Sequence, residues 1–99
     1  MNKVFVIQDS PGKNLTPARD FGEIFVMLRG KESSEEAFER LSRLMVNMLP
    51  ADYLLLIGNP VYIAIASHIA FAVCEGKVNL LLWDREKQLY RCETVEIEL

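Results

Sequence analysis

The residues best suited to bind an anion follow a short apolar run in the middle of the chain. Asn59 can cap a helix there, and Pro60 suits the first turn of that helix. Backbone N–H groups and the helix dipole at such an end hold phosphates and carboxylates. Three basic residues are candidate counter-charges: Arg29, Lys31 and Arg85. We therefore predict Asn59 as a ligand-binding residue. The repeated glycines of nucleotide-binding motifs are missing, so the competing interpretation is that Asn59 only caps the helix.

A second candidate site is the polar segment from Asp9 to Phe21, which contains two prolines, one glycine and four charged residues. Its 13 residues are more than most connections in compact domains have, and such loops are often functional. We predict Lys13, Asn14 and Arg19 as ligand-binding residues, for a small anionic ligand or for single-stranded nucleic acid. Local turns and ion pairs are the alternative role of these side chains.

The sequence contains no pattern typical of a catalytic or metal site. His68 is the only histidine, so no cluster of histidine and cysteine ligands exists. Cys74 and Cys92 are outside any Cys-x-x-Cys motif and are typical of small core residues. We predict no catalytic residue, no metal and no cofactor, which favours a non-enzymatic protein. The alternative is a small enzyme acting on a phosphorylated or nucleotide substrate at the Asn59 edge.

The spacing of apolar residues predicts the elements that must position these side chains. Strands are expected at Lys3–Ile7, Gly22–Leu28, Tyr53–Ile57, Lys77–Trp83 and Gln88–Leu99. One helix is expected from the Ser33 cap to Pro50, with Glu36 completing a capping box, and a second from Pro60 to Glu75. The order β-β-α-β-α-β-β predicts a single small α/β domain over residues 1–99. It has a mixed sheet, a central strand–helix–strand crossover and a C-terminal β-hairpin around residues 84–87.

Several strands are apolar at both parities, so both faces of the sheet should be covered. The two helices can lie on opposite faces, or one face can be covered by a dimer partner. If strands two, three and four are parallel, their carboxyl ends share one edge, where ligands of such sheets bind, and the long loop lies at the opposite edge. The apolar residues of the last strand change parity, which predicts a bulge near Glu93-Thr94 or two halves that serve different faces.

The second helix is apolar on its outer side as well as on its inner side. Small alanines on that outer side would let another helix approach closely, so we predict a homo-oligomer. The predicted interface residues are Ala64, His68, Phe71, Ala72 and Glu75.

Charge and composition exclude several partners. The net charge of −3 and the pI near 5.1 disfavour a protein that binds nucleic-acid backbones. Hydrophobic residues make up 51% of the chain, which is enough for a hydrophobic core. The apolar stretch from Tyr53 to Cys74 is interrupted at Gly58–Pro60 and again at Ser67 and His68, so no membrane span is predicted. Two cysteines and no leader resembling a secretory signal predict a cytoplasmic protein.

Four segments resemble small uncharacterised proteins encoded by bacteriophages: Pro11–Ala18, Phe21–Glu23, Asp52–Pro60 and Leu82–Arg85. The resemblance covers most of the chain and carries no activity or functional residue with it. It implies an accessory protein made in the cytoplasm of a bacterial host. Together with the residues above, it favours a non-enzymatic α/β module that self-associates and binds a host protein or a small anionic ligand.

Overall fold

Five strands form one mixed sheet in the computed structural model, which describes residues 1–98. The strands are β1 (Lys3–Gln8), β2 (Glu23–Leu28), β3 (Tyr53–Leu55), β4 (Lys77–Asp84) and β5 (Leu89–Glu96). The helices are α1 (Ser34–Leu44) and α2 (Pro60–Val73), and a short 3-10 helix spans Thr16–Asp20. The strand order is β2-β1-β3-β4-β5, with β1 to β4 parallel and β5 antiparallel to β4. The predicted α/β fold is confirmed, while Leu99, the last residue of the predicted domain and strand, lies outside the described residues.

Helix α1 begins at the predicted capping box. The Ser33 side chain accepts from the Glu36 N–H, and the Glu36 carboxylate accepts from the Ser33 N–H, both at 3.1 Å. The helix ends at Leu44, six residues before Pro50, which we had expected to stop it. The C-cap is Met45, and the chain then reverses towards β3 through a turn in which the buried Asp52 carboxylate accepts from the Leu49 N–H at 2.8 Å.

Helix α2 has the predicted Asn59 cap at its start. The Asn59 side chain accepts from the Val61 N–H at 2.8 Å, and Pro60 occupies the first helical position. At the other end Gly76 has φ 92°, the left-handed conformation that glycine adopts without strain. The helix proper ends at Val73, two residues before the predicted boundary.

Both helices cover the same face of the sheet, which rules out the first of the two predicted alternatives, helices on opposite faces. The steps from β2 to β3 and from β3 to β4 run in the same direction across the sheet, so right-handed crossovers place both helices on one side. The step from β1 to β2 runs the other way, and its loop covers the opposite face. We call these the helix side and the loop side. On the loop side a segment of the chain itself, with Leu15, Ala18 and Phe21, provides the cover that we had assigned to a second helix or a dimer partner.

The register of β4 and β5 is continuous, so the predicted bulge near Glu93-Thr94 is wrong. Every residue from Lys77 to Asp84 faces one partner on β5. Tyr90 is buried on the loop side, whereas Val95 is opposite Val78 on the helix side. The alternative interpretation therefore holds, in which the two halves of the strand contribute apolar side chains to different faces.

Candidate functional site

The carboxyl ends of four parallel strands meet at one edge of the sheet. The order of connections reverses between β1 and β3, because the chain leaves β1 towards β2 but leaves β3 towards β4. Ligands of open α/β sheets usually bind at such a switch point. Since β1 is parallel to its neighbours, the long loop begins at this same edge and ends at the opposite edge, where β2 starts. The prediction that the loop lies at the opposite edge therefore holds for its end and is wrong for its beginning.

The switch point is filled by the side chain of Gln8. Its Nε2 donates to the Gly30 carbonyl at 3.1 Å, and its Oε1 accepts from the Asn59 N–H at 2.8 Å. Gly58 makes room for it, because a Cβ at Gly58 would lie 2.6 Å from the Gln8 Cβ. Sequence reasoning missed Gln8; the available signal was a polar residue at the end of an apolar strand. The crevice between the strands is thus bridged by the protein's own amide.

Two of the residues predicted to bind an anion at this edge, Asn59 and Arg29, have local partners. Asn59 caps α2 through its side chain, as described above. Arg29, a predicted counter-charge, forms an exposed ion pair with Asp9 at 3.7 Å. Both observations fit the competing interpretation, in which Asn59 is a structural cap.

Lys13 and Asn14 lie at the same carboxyl edge, above the end of the β4–β5 hairpin. Gly12 has φ 83° in the turn that precedes them, where the Lys13 N–H donates to the Ser10 carbonyl at 3.1 Å. A cavity of about 390 Å³ separates this part of the loop from the hairpin. We call it the loop cavity; its lining residues are Gly12, Lys13, Asn14, Pro17, Trp83, Gln88 and Tyr90.

Arg19 lies at the other end of the sheet. It lines a separate cavity of about 440 Å³ beside Gly22 and Glu23, where β2 begins. The 3-10 helix carries the chain from β5 to β2 across the loop side, which separates Arg19 from Lys13. Of the four predicted ligand-binding residues, the structure brings together only Lys13 and Asn14 in one cavity.

The outer flank of α2 is open to solvent along its whole length. Four of the predicted interface residues are exposed: Ala64, His68, Ala72 and Glu75. The fifth, Phe71, is half-buried and packs against the core, while Val61 is 53% exposed in the first turn. A cavity of about 770 Å³ lies between Ala72 and Glu75 on α2 and the segment that follows β5.

Buried polar and titratable groups serve the fold. Asp52 is 6% exposed, and its two oxygens accept from the N–H groups of Lys3 and Leu49 at 2.9 and 2.8 Å. Burial raises the pKa of the Cys74 thiol, and the nearby Asp52 carboxylate raises it further, so this thiol is poorly nucleophilic. Burial also raises the pKa of Tyr90, whose neutral hydroxyl donates to the Asn14 carbonyl at 2.9 Å. No local sequence pattern indicates these long-range pairs.

Among residues 1–98, neither helix combines the length and the apolar character needed to cross a bilayer.

Comparison with known proteins identifies the family of this chain. No curated protein and no solved structure matches the chain. The family model for phage Pam3 gp32-like proteins matches residues 2–98, which confirms the resemblance to small phage-encoded proteins. With a match over almost its whole length, the chain belongs to the phage Pam3 gp32-like protein family.

Proposed function

We propose that this phage protein is a non-enzymatic interaction module whose first partner is a second copy of itself. The observation that carries the proposal is an uncovered surface on the helix side of the β4–β5 hairpin, next to the open flank of α2. On this proposal the protein acts in the cytoplasm of the infected bacterium. A host protein is the alternative partner for the same surface.

The uncovered surface follows from the topology. A sheet in which every strand were joined by a crossover would have a further helix after β4, but here a tight hairpin joins β4 to β5. Side chains at paired positions of two strands lie on the same face. The helix-side positions of the hairpin that are apolar form what we call the open hairpin face: Leu80, Leu82, Leu89 and Val95.

Exposure marks this face as incompletely covered. Leu89 is 51% exposed, and Ile97, just beyond β5, is 45% exposed. Arg91 and Glu93 lie between the apolar positions on the same side and form an ion pair at 3.1 Å, so these two charges cancel. Asp84, opposite Leu89, adds a negative charge at one end of the face, and Glu75, Glu96 and Glu98 line the cavity at the other end. The apolar positions between these acidic ends are suited to contact with another protein.

A second copy fits this surface because the two exposed features are complementary. One is a helix flank with small side chains at Ala64 and Ala72, and the other is a sheet face that lacks a helix. They lie side by side, so a twofold axis between two copies places each α2 over the open hairpin face of its partner. Such an isologous contact buries both features of both copies at once.

The test compares two leucine-to-glutamate variants of matched exposure. Leu89→Glu places a charge on the open hairpin face, whereas Leu49→Glu changes a leucine that is 62% exposed after α1. We expect the unmodified protein and Leu49→Glu to sediment as dimers, and the dissociation constant of Leu89→Glu to rise about tenfold or more, because a carboxylate would be buried without a partner.

Native mass spectrometry and analytical ultracentrifugation give the mass, and circular dichroism checks that both variants fold. A second interface variant, Ala64→Glu, tests the helix half of the contact independently. An unmodified protein that is monomeric at high micromolar concentration would contradict the proposal. A dimer that tolerates both Leu89→Glu and Ala64→Glu would place the contact elsewhere on the molecule.

The alternative of a small enzyme at the Asn59 edge gains no support from the geometry. A substrate there would have to displace the Gln8 side chain from its bonds to Gly30 and Asn59. Nucleic-acid binding through Lys13 and Arg19 together is likewise unsupported, because these residues line different cavities.

A further inference from the structure

We infer that the loop cavity is a binding site for a nucleoside monophosphate, separate from the proposed dimer surface. The cavity lies at the carboxyl edge of the sheet, the edge where ligands of this architecture usually bind, between the loop that leaves β1 and the β4–β5 hairpin. Its volume of about 390 Å³ is within the range of small-ligand sites.

The roof of the cavity is fixed at both ends. The Pro11-Gly12 turn holds Lys13, and the Asn14 side chain accepts from the Thr16 N–H at 3.0 Å to start the 3-10 helix. The Tyr90 hydroxyl ties the same stretch to β5. Further along, Ala18 is fully buried against the sheet. A loop anchored in this way can bind a ligand without first becoming ordered, which lowers the entropic cost of binding.

The wall of the cavity is aromatic. The rings of Trp83 and Tyr90 meet edge to face, with centroids 4.9 Å apart and planes at 67°. Half-buried Trp83 offers a large π surface at a cavity that also contains the carboxamides of Asn14 and Gln88. Aromatic faces stack on nucleobases, and amides donate to and accept from base edges. This combination favours a planar heteroaromatic ring.

The charge at the cavity favours an anion on that ring. Lys13 is exposed at the cavity mouth and forms no ion pair within residues 1–98. Arg85 and Lys87, in the hairpin turn at the same edge, likewise form none there. The Asp84 carboxylate is occupied by the N–H groups of Glu86 and Lys87 at 3.0 and 3.1 Å. Lys13 is the cation among the residues that line the cavity, since Arg85 and Lys87 belong to a turn that also carries Asp84 and Glu86. An unpaired cation beside an aromatic wall is suited to a phosphate attached to a base.

The test uses the fluorescence of Trp83, the only tryptophan of the chain, as a direct reporter of the cavity. The four ribonucleoside monophosphates are the probes, with the matching nucleosides and inorganic phosphate as partial ligands, and calorimetry confirms each titration. We expect at least one monophosphate to change the emission saturably. The nucleoside should bind more weakly, and phosphate alone should leave the emission unchanged.

Two lysine variants separate the cavity from general charge. Lys13→Ala should weaken nucleotide binding about fivefold by removing a phosphate contact, whereas Lys77→Ala, which changes an exposed lysine at the start of β4 on the opposite edge of the sheet, should leave the affinity unchanged. No saturable response to any of the four monophosphates at millimolar concentration would overturn the inference. Equal loss in both lysine variants, or phosphate binding as tightly as nucleotide, would overturn it as well. None of these outcomes depends on whether the protein dimerises.

Discussion

Gly58, just after β3, lies against the Gln8 side chain that fills the switch point. It has φ 128°, which L-residues rarely adopt, and a Cβ there would collide with the Gln8 Cβ. We predict that Gly58→Ala lowers the free energy of unfolding by at least about 2 kcal/mol, because backbone strain adds to displacement of Gln8. Urea denaturation monitored by circular dichroism measures the difference.

Gly30 supplies the matched control, since a Cβ there has no heavy atom within 4 Å and its φ is not in the left-handed region. Gly30→Ala should stabilise the protein slightly, by no more than about 1 kcal/mol, through the unfolded state. Equal midpoints for the two variants would show that the space beside Gln8 is not constrained as the structure indicates.

The residues of the candidate sites were predictable only where the cause is local. Asn59 and Ser33 were identified as caps because a cap depends on a few neighbouring residues. Gln8 and Asp52 were missed as anchors because their partners are about 50 positions away along the chain. For the same reason Lys13 was predicted as a ligand residue, but Trp83 beside it was not.

At the scale of elements, apolar periodicity predicted every strand and both helices, but not their arrangement. The apolar stripe of an amphipathic helix such as α1 indicates that the helix packs on a sheet. It does not indicate which face of the sheet the helix covers. That choice follows from strand order, and order depends on the step from β1 to β2 through a loop without a helical pattern. The bulge in β5 was predicted wrongly because one buried face was assumed, whereas this edge strand contributes Tyr90 to one face and Val95 to the other.

The capping box of α1 predicts a pH dependence of stability. Hydrogen bonds from the Ser33 backbone and side chain, with a smaller contribution from Arg40, hold the pKa of Glu36 below 4.5. A carboxylate with a lowered native pKa stabilises the fold above the unfolded pKa, and this contribution is lost as pH falls through the native value. We therefore expect the stability advantage of the unmodified protein over Glu36→Gln to be constant near neutral pH and to shrink on acidification below pH 4.5.

Urea titrations across this range measure that advantage, with Glu35→Gln as a control that removes one exposed charge from the same turn without touching the capping box. An advantage that grows on acidification, or one that Glu35→Gln reproduces, would contradict the assignment of the effect to the Ser33–Glu36 pair.

At the scale of the whole molecule, the two faces of the sheet are covered unequally. On the loop side the protein's own loop covers the sheet as far as Tyr90 and leaves Cys92 and Thr94 of the edge strand exposed. On the helix side two helices cover five strands and leave the hairpin open. The two proposed sites lie on these different sides: the dimer surface on the helix side, and the nucleotide cavity under the loop. A molecule of this design can bind its partner and its ligand at the same time, because neither site covers the other.

The position of His68 predicts how assembly responds to a fixed charge. His68 is exposed midway along the outer flank of α2, so a twofold axis through that flank brings this position of two copies close together. His68→Lys would place two like charges at the axis, which repel each other. We expect the dimer dissociation constant of His68→Lys to rise several-fold, and the dissociation constant of the uncharged variant His68→Gln to match that of the unmodified protein. Sedimentation of the three proteins measures the difference. An unchanged affinity in His68→Lys would move the axis away from His68, whereas a monomer in every case would contradict the dimer itself.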